Sequence, residues 1–382
     1  MYQFIDKLHT LYGLLQDERS KEIFQARFAF DMEGSLLNIE RIVSLGPFKD
    51  QAPRWNTPLN DILKKLNREN KKIILYGTAM TGKFFADILQ LEQIDFYGFC
   101  GQHSERFPDG LMGKPVISPD ELVAHKDEYY ILLTVNEEKS YTEISQFLLK
   151  SAYPEKNIFP NWINFQYIYD SFVQKFDEMQ YFEFPELYRR GTAFVDGGCF
   201  DCETSRKFAE WCGGAYSSII AFEPDPDNYA QCCKNVRDVP LPNFQLINAG
   251  LSSQEGTAVF NALNNSLGSY IISVRPDFDE TKTNIAGNII SIRTAAIDDI
   301  VGDRTVGFIK LDIEGAELDA LHGAKNTIAR DKPLLAICVY HKHGDLFAIM
   351  DYLHQLLPEY RFLLRHYSTI TAETILYASV DL

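Results

Sequence analysis

Two short segments of the chain concentrate residue types that could bind a cofactor and carry out acid–base chemistry. The first, FVDGGCFDCETS at 194–205, follows an apolar stretch; the second, FIKLDIEGAE at 308–317, carries a lysine and three acids. Small residues between a strand and a helix let the backbone approach a ligand, and the helix N-terminus offers free N–H groups. Ionisable groups are costly to cluster without a function. The two segments are therefore candidates for the binding and reacting parts of one site.

The ends of two later strands extend the predicted binding site. Glu223 ends the predicted strand at 217–224, where a carboxylate can accept both hydroxyls of a ribose. Asn248 and Ala249 end the third strand and offer a small polar surface for an adenine edge. Because ligands of doubly wound sheets sit at the carboxyl ends of the strands, these positions predict one nucleoside site. The predicted cofactor-binding residues are Asp196, Gly197, Gly198, Cys199, Phe200, Asp201, Thr204, Glu223, Pro224, Asn248 and Ala249.

The glycine spacing favours one cofactor over another. The turn runs Asp196-x-Gly198 and lacks the pattern G-x-G-x-x-G, so the third glycine of a dinucleotide site is missing. A nucleoside that bears an amino acid fits this turn better than a pyrophosphate, which favours S-adenosylmethionine over NAD. Glycine turns between a strand and a helix are also common in α/β domains that bind no ligand there. It is the positions of Glu223 and Asn248, taken with the turn, that favour a ligand site.

The second segment places charged side chains at one strand end. Lys310 and Asp312 share a face of the predicted strand because side chains alternate with a period of two, and Glu314 follows just past its end. Glu317 begins a helix, where an acid also suits the helix dipole. Lys310 and Glu317 can each be explained by structure alone. Lys310 can serve as an ion-pair partner of an acid, and Glu317 as an acid at the start of a helix. Asp312 and Glu314 are the stronger candidates for chemistry.

The next predicted strand, at 333–341, ends in His341, beside the Asp312 strand end and in reach of a substrate proton. The predicted catalytic residues are therefore Asp312, His341 and Glu314. Asp312 or His341 would accept the proton of an attacking hydroxyl, and Glu314 would orient the hydroxyls of the acceptor. An open alternative is that the acids hold a divalent ion that lowers the pKa of the hydroxyl. The prediction itself includes no metal site.

Alternating strands and helices must position these residues. The stretches from 71–77 to 157–160 and from 193–198 to 374–379 each alternate in this way, whereas the first 65 residues show helical spacing of leucine and phenylalanine. The sequence thus predicts the α/β class: two Rossmann-like doubly wound domains with a helical N-terminal segment. The predicted division is a helical segment at 1–65, with a proline-rich break at 46–58, a small Rossmann-like domain at 66–160, a helical bridge at 161–190 and a larger domain at 191–382.

Composition excludes several classes of protein. The 382 residues are 46% hydrophobic, which excludes a disordered chain, and no apolar run reaches the ~18 residues of a membrane span. The net charge of −16 disfavours a binder of nucleic acid or of anionic membranes. The first residues do not read as a signal peptide, so we expect a cytoplasmic protein with reduced thiols.

Seven cysteines include a pair, Cys199-x-x-Cys202, whose spacing matches redox or zinc sites. The second pair that a zinc site needs is missing, because Cys232 and Cys233 are adjacent rather than spaced for chelation. Plain packing of small apolar side chains is therefore the prediction for these cysteines.

Taken together, the motifs over about 175–380 resemble the FkbM family of S-adenosylmethionine-dependent methyltransferases. The resemblance implies that 191–382 is a class I methyltransferase domain, that Asp196, Gly198 and Glu223 hold the cofactor, and that the region around Asp312 faces the methyl group. Known members methylate hydroxyl groups, often on sugars or secondary metabolites. Cys202 stands where the family usually has glycine. The resemblance rests on the segments 194–205, 221–229, 248–256, 292–301, 308–324 and the tail at 360–379, and the stretch 14–28 is similar to a leader found in some members.

The segment LYGTAMTGKFFADIL at 75–89 resembles small Rossmann-like modules found beside sugar-modifying enzymes, with Ala79 at the usual middle glycine. A scaffold role and a ligand-binding role both stay open for it. Two alternatives to a methyltransferase follow. The first is a nicotinamide-dependent sugar-nucleotide enzyme, although the Tyr-x-x-x-Lys pair that such an enzyme is expected to have is missing from residues 71–160. The second is a non-catalytic nucleotide- or glycan-binding module. The predicted partner is a small-molecule or glycan substrate, with no nucleic acid and no membrane insertion, and a homo-oligomer stays open.

Overall fold

The computed structural model describes residues 2–34, 38–39, 66–68, 71–91, 94–135, 138–159, 179–262, 270–273, 288–368 and 371–382. The chain divides into two compact units: Met1–Asp31 together with Phe176–Leu382, and Met32–Lys175. The predicted break at 46–58 and residues 161–178 of the predicted bridge lie outside the described residues. Within the described ranges, no helix is both long and apolar enough to cross a lipid bilayer.

Two helices open the chain, α1 (Tyr2–Gly13) and α2 (Glu18–Glu33). The side chain of Asp17 accepts the backbone N–H of Ser20 at 2.7 Å, which satisfies a free donor at the start of α2. Between the helices, Gln16 N–H donates to the carbonyl of Phe362 at 3.0 Å. This backbone hydrogen bond extends the edge of the main sheet of the larger unit. The first 31 residues thus belong to that unit, whereas the sequence predicted a separate segment.

The smaller unit is built on five parallel strands in the order β3-β2-β1-β4-β5. Its central strands are apolar and buried, which is typical of a parallel sheet covered on both faces. The strands are β1 (Lys72–Tyr76), β2 (Gly98–Cys100), β3 (Val116–Ile117), β4 (Tyr129–Leu133) and β5 (Ile158–Phe159), and the helices are α3 (Met80–Leu91), α4 (Pro119–Ala124) and α5 (Glu138–Lys150).

The larger unit contains a seven-stranded sheet in the order β15-β16-β14-β13-β6-β7-β8. All neighbours pair in parallel except β16, which is antiparallel to both β14 and β15. The strands are β6 (Ala193–Gly197), β7 (Ile219–Phe222), β8 (Phe244–Ile247), β13 (Val306–Leu311), β14 (Leu334–Cys338), β15 (Arg361–His366) and β16 (Thr374–Ser379). The strand order reverses between β6 and β13, and ligands of doubly wound sheets bind at such a switch point.

A second sheet of the larger unit has the order β11-β10-β12-β9. Its strands are β9 (Gly250–Leu251), β10 (Gly256–Ala262), β11 (Tyr270–Ser273) and β12 (Asn288–Ala295). The helices of this unit after the first two are α6 (Glu203–Trp211), α7 (Pro226–Asp238), α8 (Ile297–Val301), α9 (Glu317–His322), α10 (Lys325–Asp331) and α11 (Asp345–Leu356). The predicted α/β class with parallel, doubly wound sheets is confirmed.

The described end of the predicted bridge differs from the expectation of a helix. Residues 179–190 contain one short 3-10 turn, Pro185–Leu187, and Tyr181 has a positive φ of 69°. Proline and a left-handed residue both interrupt an α-helix. The aromatic side chains on which the helix prediction rested lie outside the described residues, whereas Phe182 packs into the larger unit, 6.1 Å from Phe308 between ring centroids.

Candidate active site

The turn between β6 and α6 requires glycine at its centre. Gly198 has a φ of 73°, and a Cβ placed on it would lie 2.0 Å from the carbonyl oxygen of Asp312. The N–H of Asp312 also donates to the carbonyl of Gly197 at 3.1 Å. The two segments singled out in the sequence are therefore in direct backbone contact, because β6 and β13 are neighbouring parallel strands.

Lys310 supports this turn from inside the protein. Its ammonium lies 3.2 Å from Asp196 Oδ1 and donates to the carbonyls of Gly197 and Gly198 at 3.0 and 2.7 Å. Burial alone would lower the pKa of Lys310, but the charges of Asp196 and Asp312 outweigh burial and raise it. The other oxygen of Asp196 accepts the hydroxyl of Ser205 at 2.7 Å. Asp196 and Lys310 thus form a buried, paired support.

Glu223 sits at the end of β7, where the sequence placed it. Its Oε2 accepts the N–H of Phe200 at 3.0 Å, and its Oε1 accepts the N–H of Asp225 at 2.9 Å. Burial raises the pKa of this carboxyl to about 7, although hydrogen bonds from these backbone groups and from Asn228 act in the opposite direction. Asp225 in turn caps α7 by accepting the N–H of Asp227 at 2.9 Å.

One cavity joins this carboxylate to the acids that follow β13. Of the predicted residues it is lined by Gly198, Phe200, Glu223, Pro224 and Ala249, and by Asp312 and Glu314, which follow β13, two strands from β7. The remaining wall was not predicted from the sequence, because much of it comes from the second sheet. These additional lining residues are Phe222, Asn228, Gly250, Leu251, Phe260, Ile271, Ile313 and Ala316.

Several predicted cofactor residues lie near the cavity without lining it. The amide of Asn248 donates to the carbonyls of Glu223 and Pro224 at 2.8 and 3.3 Å, so it fixes the strand end. Asp201 accepts the N–H of Glu203 at 2.9 Å at the start of α6. The predicted residues outside the lining are Asp196, Gly197, Cys199, Asp201, Thr204, Asn248 and His341.

Asp312 lies at the acidic end of the cavity and receives several donors. Its Oδ2 accepts the hydroxyl of Tyr181 at 2.8 Å, and its Oδ1 accepts that of Tyr340 at 3.4 Å. Burial would raise the pKa of Asp312, but the positive charges of Lys310 and His341 lower it below its ordinary value. Asp312 is therefore a charged carboxylate and a weak base in this state.

His341 differs from the expectation of a proton acceptor. Its Nδ1 lies 2.8 Å from Glu317 Oε1, and its Nε2 lies 3.4 and 3.6 Å from oxygens of Asp312 and Glu314. Burial acts to lower the pKa of His341, but the hydrogen bond and charge of Glu317, followed by the other two acids, raise it to about 9. The imidazole is thus positively charged at neutral pH and holds three carboxylates together. A protonated imidazole favours a neighbouring carboxylate over His341 as the proton acceptor, and the predicted role of His341 as a base stays a prediction.

Glu314 is the carboxylate best suited to accept a proton. Its side chain is 34% exposed, lines the cavity and stands 3.6 Å from the His341 ring. Burial raises the pKa of Glu314 above its ordinary value and outweighs the charge of His341, which acts to lower it, while the charge of Asp312 adds to the rise. A carboxylate with a raised pKa holds a proton more readily than Asp312 does.

Sequence reasoning missed a set of polar residues around the acids. Glu373, next to β16, accepts the amide of Gln180 at 2.5 Å, and the hydroxyl of Tyr340 lies 3.5 Å from the same carboxylate. Tyr181 was hidden in an aromatic segment that resembled a bridge helix. Of these polar residues, only Tyr340 could have been found from the sequence, because it immediately precedes His341 at the same strand end.

The corresponding turn of the smaller unit has a packing explanation. A Cβ on Gly82 would lie 2.0 Å from the carbonyl oxygen of Gly77, and Gly77 itself has a φ of 147° and lies against Thr134. Both glycines are therefore required by contacts within the turn, whether or not a ligand binds there.

Comparisons with known proteins agree with the motifs. Residues 196–364 match the family described as "Methyltransferase FkbM domain". The chain is 25% identical over 193 residues to the 2-O-methyltransferase NoeI of Sinorhizobium fredii, covering 46% of this chain and 74% of that protein. Among solved structures, it is similar to the methyltransferase FkbM of Methylobacillus flagellatus (19% identity, TM-score 0.45, 91% of this chain and 99% of that one). It is also similar to a Streptococcus mutans methyltransferase in complex with SAH (10% identity, TM-score 0.31, 51% and 92%).

Proposed function

We propose that this chain, which carries an FkbM methyltransferase domain at residues 196–364, transfers a methyl group from S-adenosylmethionine to a hydroxyl group. The observation that carries the proposal is one cavity lined both by Glu223, which follows β7, and by Asp312 and Glu314, which follow β13 two strands away. A nucleoside held beside Glu223 would present its reactive part to an acceptor held beside Asp312 and Glu314.

The residues of the cavity fit this cofactor. Glu223 offers a buried carboxylate for ribose hydroxyls, and Leu251, Phe260 and Ile271 offer apolar surface for a purine ring. Gly198 brings backbone close to the space without a side chain. When bound, S-adenosylmethionine supplies a methyl group on a positively charged sulfur. An oxygen nucleophile can bond to that methyl group and displace the sulfur, which leaves as a neutral thioether.

The acidic end supplies the acid–base chemistry. An acceptor hydroxyl would donate its hydrogen bond to Glu314, whose raised pKa suits it to take the proton as the new oxygen–carbon bond forms. Asp312 would accept a second hydroxyl and fix the orientation of the acceptor, with Tyr181 holding its carboxylate in place. The His341 cation keeps the two acids close together despite their like charge.

A sugar, a glycan or a hydroxylated secondary metabolite is the proposed acceptor. Two carboxylates at one end of a cavity can accept hydrogen bonds from neighbouring hydroxyls, as a sugar presents them. The relative NoeI is named as a 2-O-methyltransferase, which supports oxygen as the atom that receives the methyl group.

The first test is binding. Calorimetric titration with S-adenosylhomocysteine should show one site on the wild type and loss of binding in Glu223→Ala, while NAD should not bind. Failure of S-adenosylhomocysteine to bind would leave a non-catalytic role as the better explanation. Binding of NAD instead would move the chemistry to the smaller unit.

The second test is turnover with a panel of sugars and hydroxylated metabolites, with amines included for comparison. Asp312→Asn should lower the rate by about 10²-fold while S-adenosylhomocysteine still binds, because the charge that orients the acceptor is lost. Asp319→Asn on the exposed face of α9 is the matched control and should keep the wild-type rate. Unchanged turnover in Asp312→Asn, or methylation of amines alone, would contradict the proposal.

A further inference from the structure

Three cysteine side chains converge behind the cofactor turn. Cys199 and Cys202 come from the turn before α6, and Cys232 comes from α7. The sulfur of Cys199 lies 3.9 Å from that of Cys202 and 3.8 Å from that of Cys232, and all three lie within 4.8 Å of one another. We propose that these three cysteines form a binding site for a soft metal ion, of which monovalent copper fits best.

The sulfur separations match metal coordination. Metal–sulfur bonds of about 2.3 Å place the sulfurs ~3.8 Å apart around a tetrahedral ion and ~4.0 Å apart around a trigonal one. The two distances from Cys199 lie within that interval. An ion among the three sulfurs therefore needs only small side-chain adjustments.

The backbone at Cys202 shows that a side chain is held there despite its conformational cost. Cys202 has a φ of 70°, in the left-handed region where glycine is favoured and other residues are strained by about 1–2 kcal/mol. The residue is nevertheless fully buried, with its sulfur directed to Cys199. Cys202 also stands at the start of α6, where the helix dipole stabilises the negative charge of a three-thiolate complex.

The surroundings select the type of ion. Apolar side chains, among them Ala221, Val236 and Phe244, pack around the cysteines and exclude water. Within the part of the chain that the structure describes, no fourth histidine, cysteine or carboxylate joins the three sulfurs. Thiolates prefer soft ions, and three thiolates without a fourth ligand suit monovalent copper better than tetrahedral zinc. Binding would form three sulfur–metal bonds and release three thiol protons to solvent.

The sequence alone did not predict this site, because the third ligand comes from another helix. Cys199-x-x-Cys202 supplied only half of a zinc pattern, and Cys232 looked like one of an adjacent pair unsuited to chelation. Folding of α7 against the turn places Cys232 in the cluster and leaves Cys233 outside it.

The cluster is linked to the cofactor cavity through Phe200. The thiol of Cys232 donates to the carbonyl of Phe200 at 2.9 Å, and the N–H of Phe200 donates to Glu223. Metal binding would replace that thiol hydrogen bond, so occupancy of the cluster should alter the affinity for the cofactor. The metal site itself does not depend on the proposed methyl transfer.

The test uses Cd²⁺ as a spectroscopic probe of thiolate ligation in the reduced full-length chain. Wild type should bind one Cd²⁺ with the charge-transfer absorption of three thiolates, and monovalent copper should displace it. Cys202→Gly removes one ligand at a backbone position that glycine favours, so the variant should fold. Its affinity should fall by more than the roughly 10–100-fold typical of changes outside the ligand set. Cys233→Ser, one residue from a ligand, should bind as wild type does.

Thermal unfolding of the metal-free proteins separates ligand loss from misfolding, because Cys202→Gly should still unfold in one cooperative transition, with the relief of backbone strain offsetting packing lost from the buried side chain. Equal Cd²⁺ affinity in Cys202→Gly and wild type would overturn the proposal, as would equal losses in Cys202→Gly and Cys233→Ser. Peptide mapping that finds a disulfide between two of these three cysteines after reducing purification would also overturn it, since their sulfurs would then not be free to bind a metal ion.

Discussion

The affinity for the cofactor should depend on pH through Glu223. This carboxyl is 5% exposed, and burial raises its pKa to about 7. Ribose hydroxyls donate hydrogen bonds, which a charged carboxylate accepts more strongly than a protonated one. Binding therefore favours the ionised form and lowers the pKa of Glu223 in the complex.

The sign and the size of the effect follow from this shift. Affinity is fully present above pH 7 and is lost as the pH falls, because the free protein then binds a proton that the complex must release. Each pH unit below 7 should weaken binding by a factor approaching ten, or about 1.4 kcal/mol. Between pH 8.5 and pH 5.5 the dissociation constant of S-adenosylhomocysteine should therefore rise by roughly 30-fold.

Calorimetry from pH 5.5 to 8.5 measures this dependence directly. At pH 7, titrations in buffers of different ionisation enthalpy should show release of about half a proton for each ligand bound. Glu223→Gln cannot ionise, so its profile should be flat. It should also bind about 10–150-fold more weakly at pH 8, since hydrogen bonds to a charged group contribute ~1.5–3 kcal/mol. A flat wild-type profile, or the same slope in Glu223→Gln, would refute the assignment.

Three further outcomes are expected from the structure. His341→Gln should lower the free energy of unfolding by up to about 3 kcal/mol at pH 6. Because the pKa of His341 in the folded protein is about 9, the difference between variant and wild type in urea titrations should shrink from pH 6.5 upward and be gone above pH 9. Gly198→Ala should abolish S-adenosylhomocysteine binding in calorimetry, whereas Gly214→Ala, with a similar φ of 72° and open space around it, should bind normally. Arg365→Met removes a buried guanidinium that pairs with the partly exposed acids Asp17 and Glu183, and should cost about 1.5–3 kcal/mol in urea unfolding. Lys7→Met at an exposed pair should cost less than ~1 kcal/mol, and equal costs would contradict the burial argument.

The strand ends were predictable from sequence because they depend on few assumptions. Short, largely apolar stretches locate β6, β7 and β13, which have five, four and six residues, and the doubly wound rule brings their carboxyl ends together without further detail. Glu223, Asp312 and Glu314 therefore line the cavity at positions the sequence indicated.

The roles of individual charged residues were less accessible. Lys310 pairs with Asp196 because β13 and β6 align these two residues in register, and register is not visible in one sequence. The charge state of His341 depends on three acids at 2.8 to 3.6 Å, one of them Glu317 on the following helix. The sequence was sufficient to identify His341 as a histidine at a strand end, but its charge state could be inferred only from those distances.

Backbone strain accounts for another part of what the sequence did not reveal. Four residues other than glycine that surround the site have positive φ angles: Tyr181, Phe200, Cys202 and Glu314. Each directs a group to a particular place: a hydroxyl to Asp312, an N–H to Glu223, a sulfur to the cysteine cluster and a carboxylate to the cavity. Such conformations cost about 1–3 kcal/mol each and persist only where the surrounding structure enforces them. Of the four, only Cys202 was singled out in the sequence, because the related family usually has glycine there. Tyr181, Phe200 and Glu314 resembled ordinary turn or helix residues, and the strain that orients them became visible only in the folded chain.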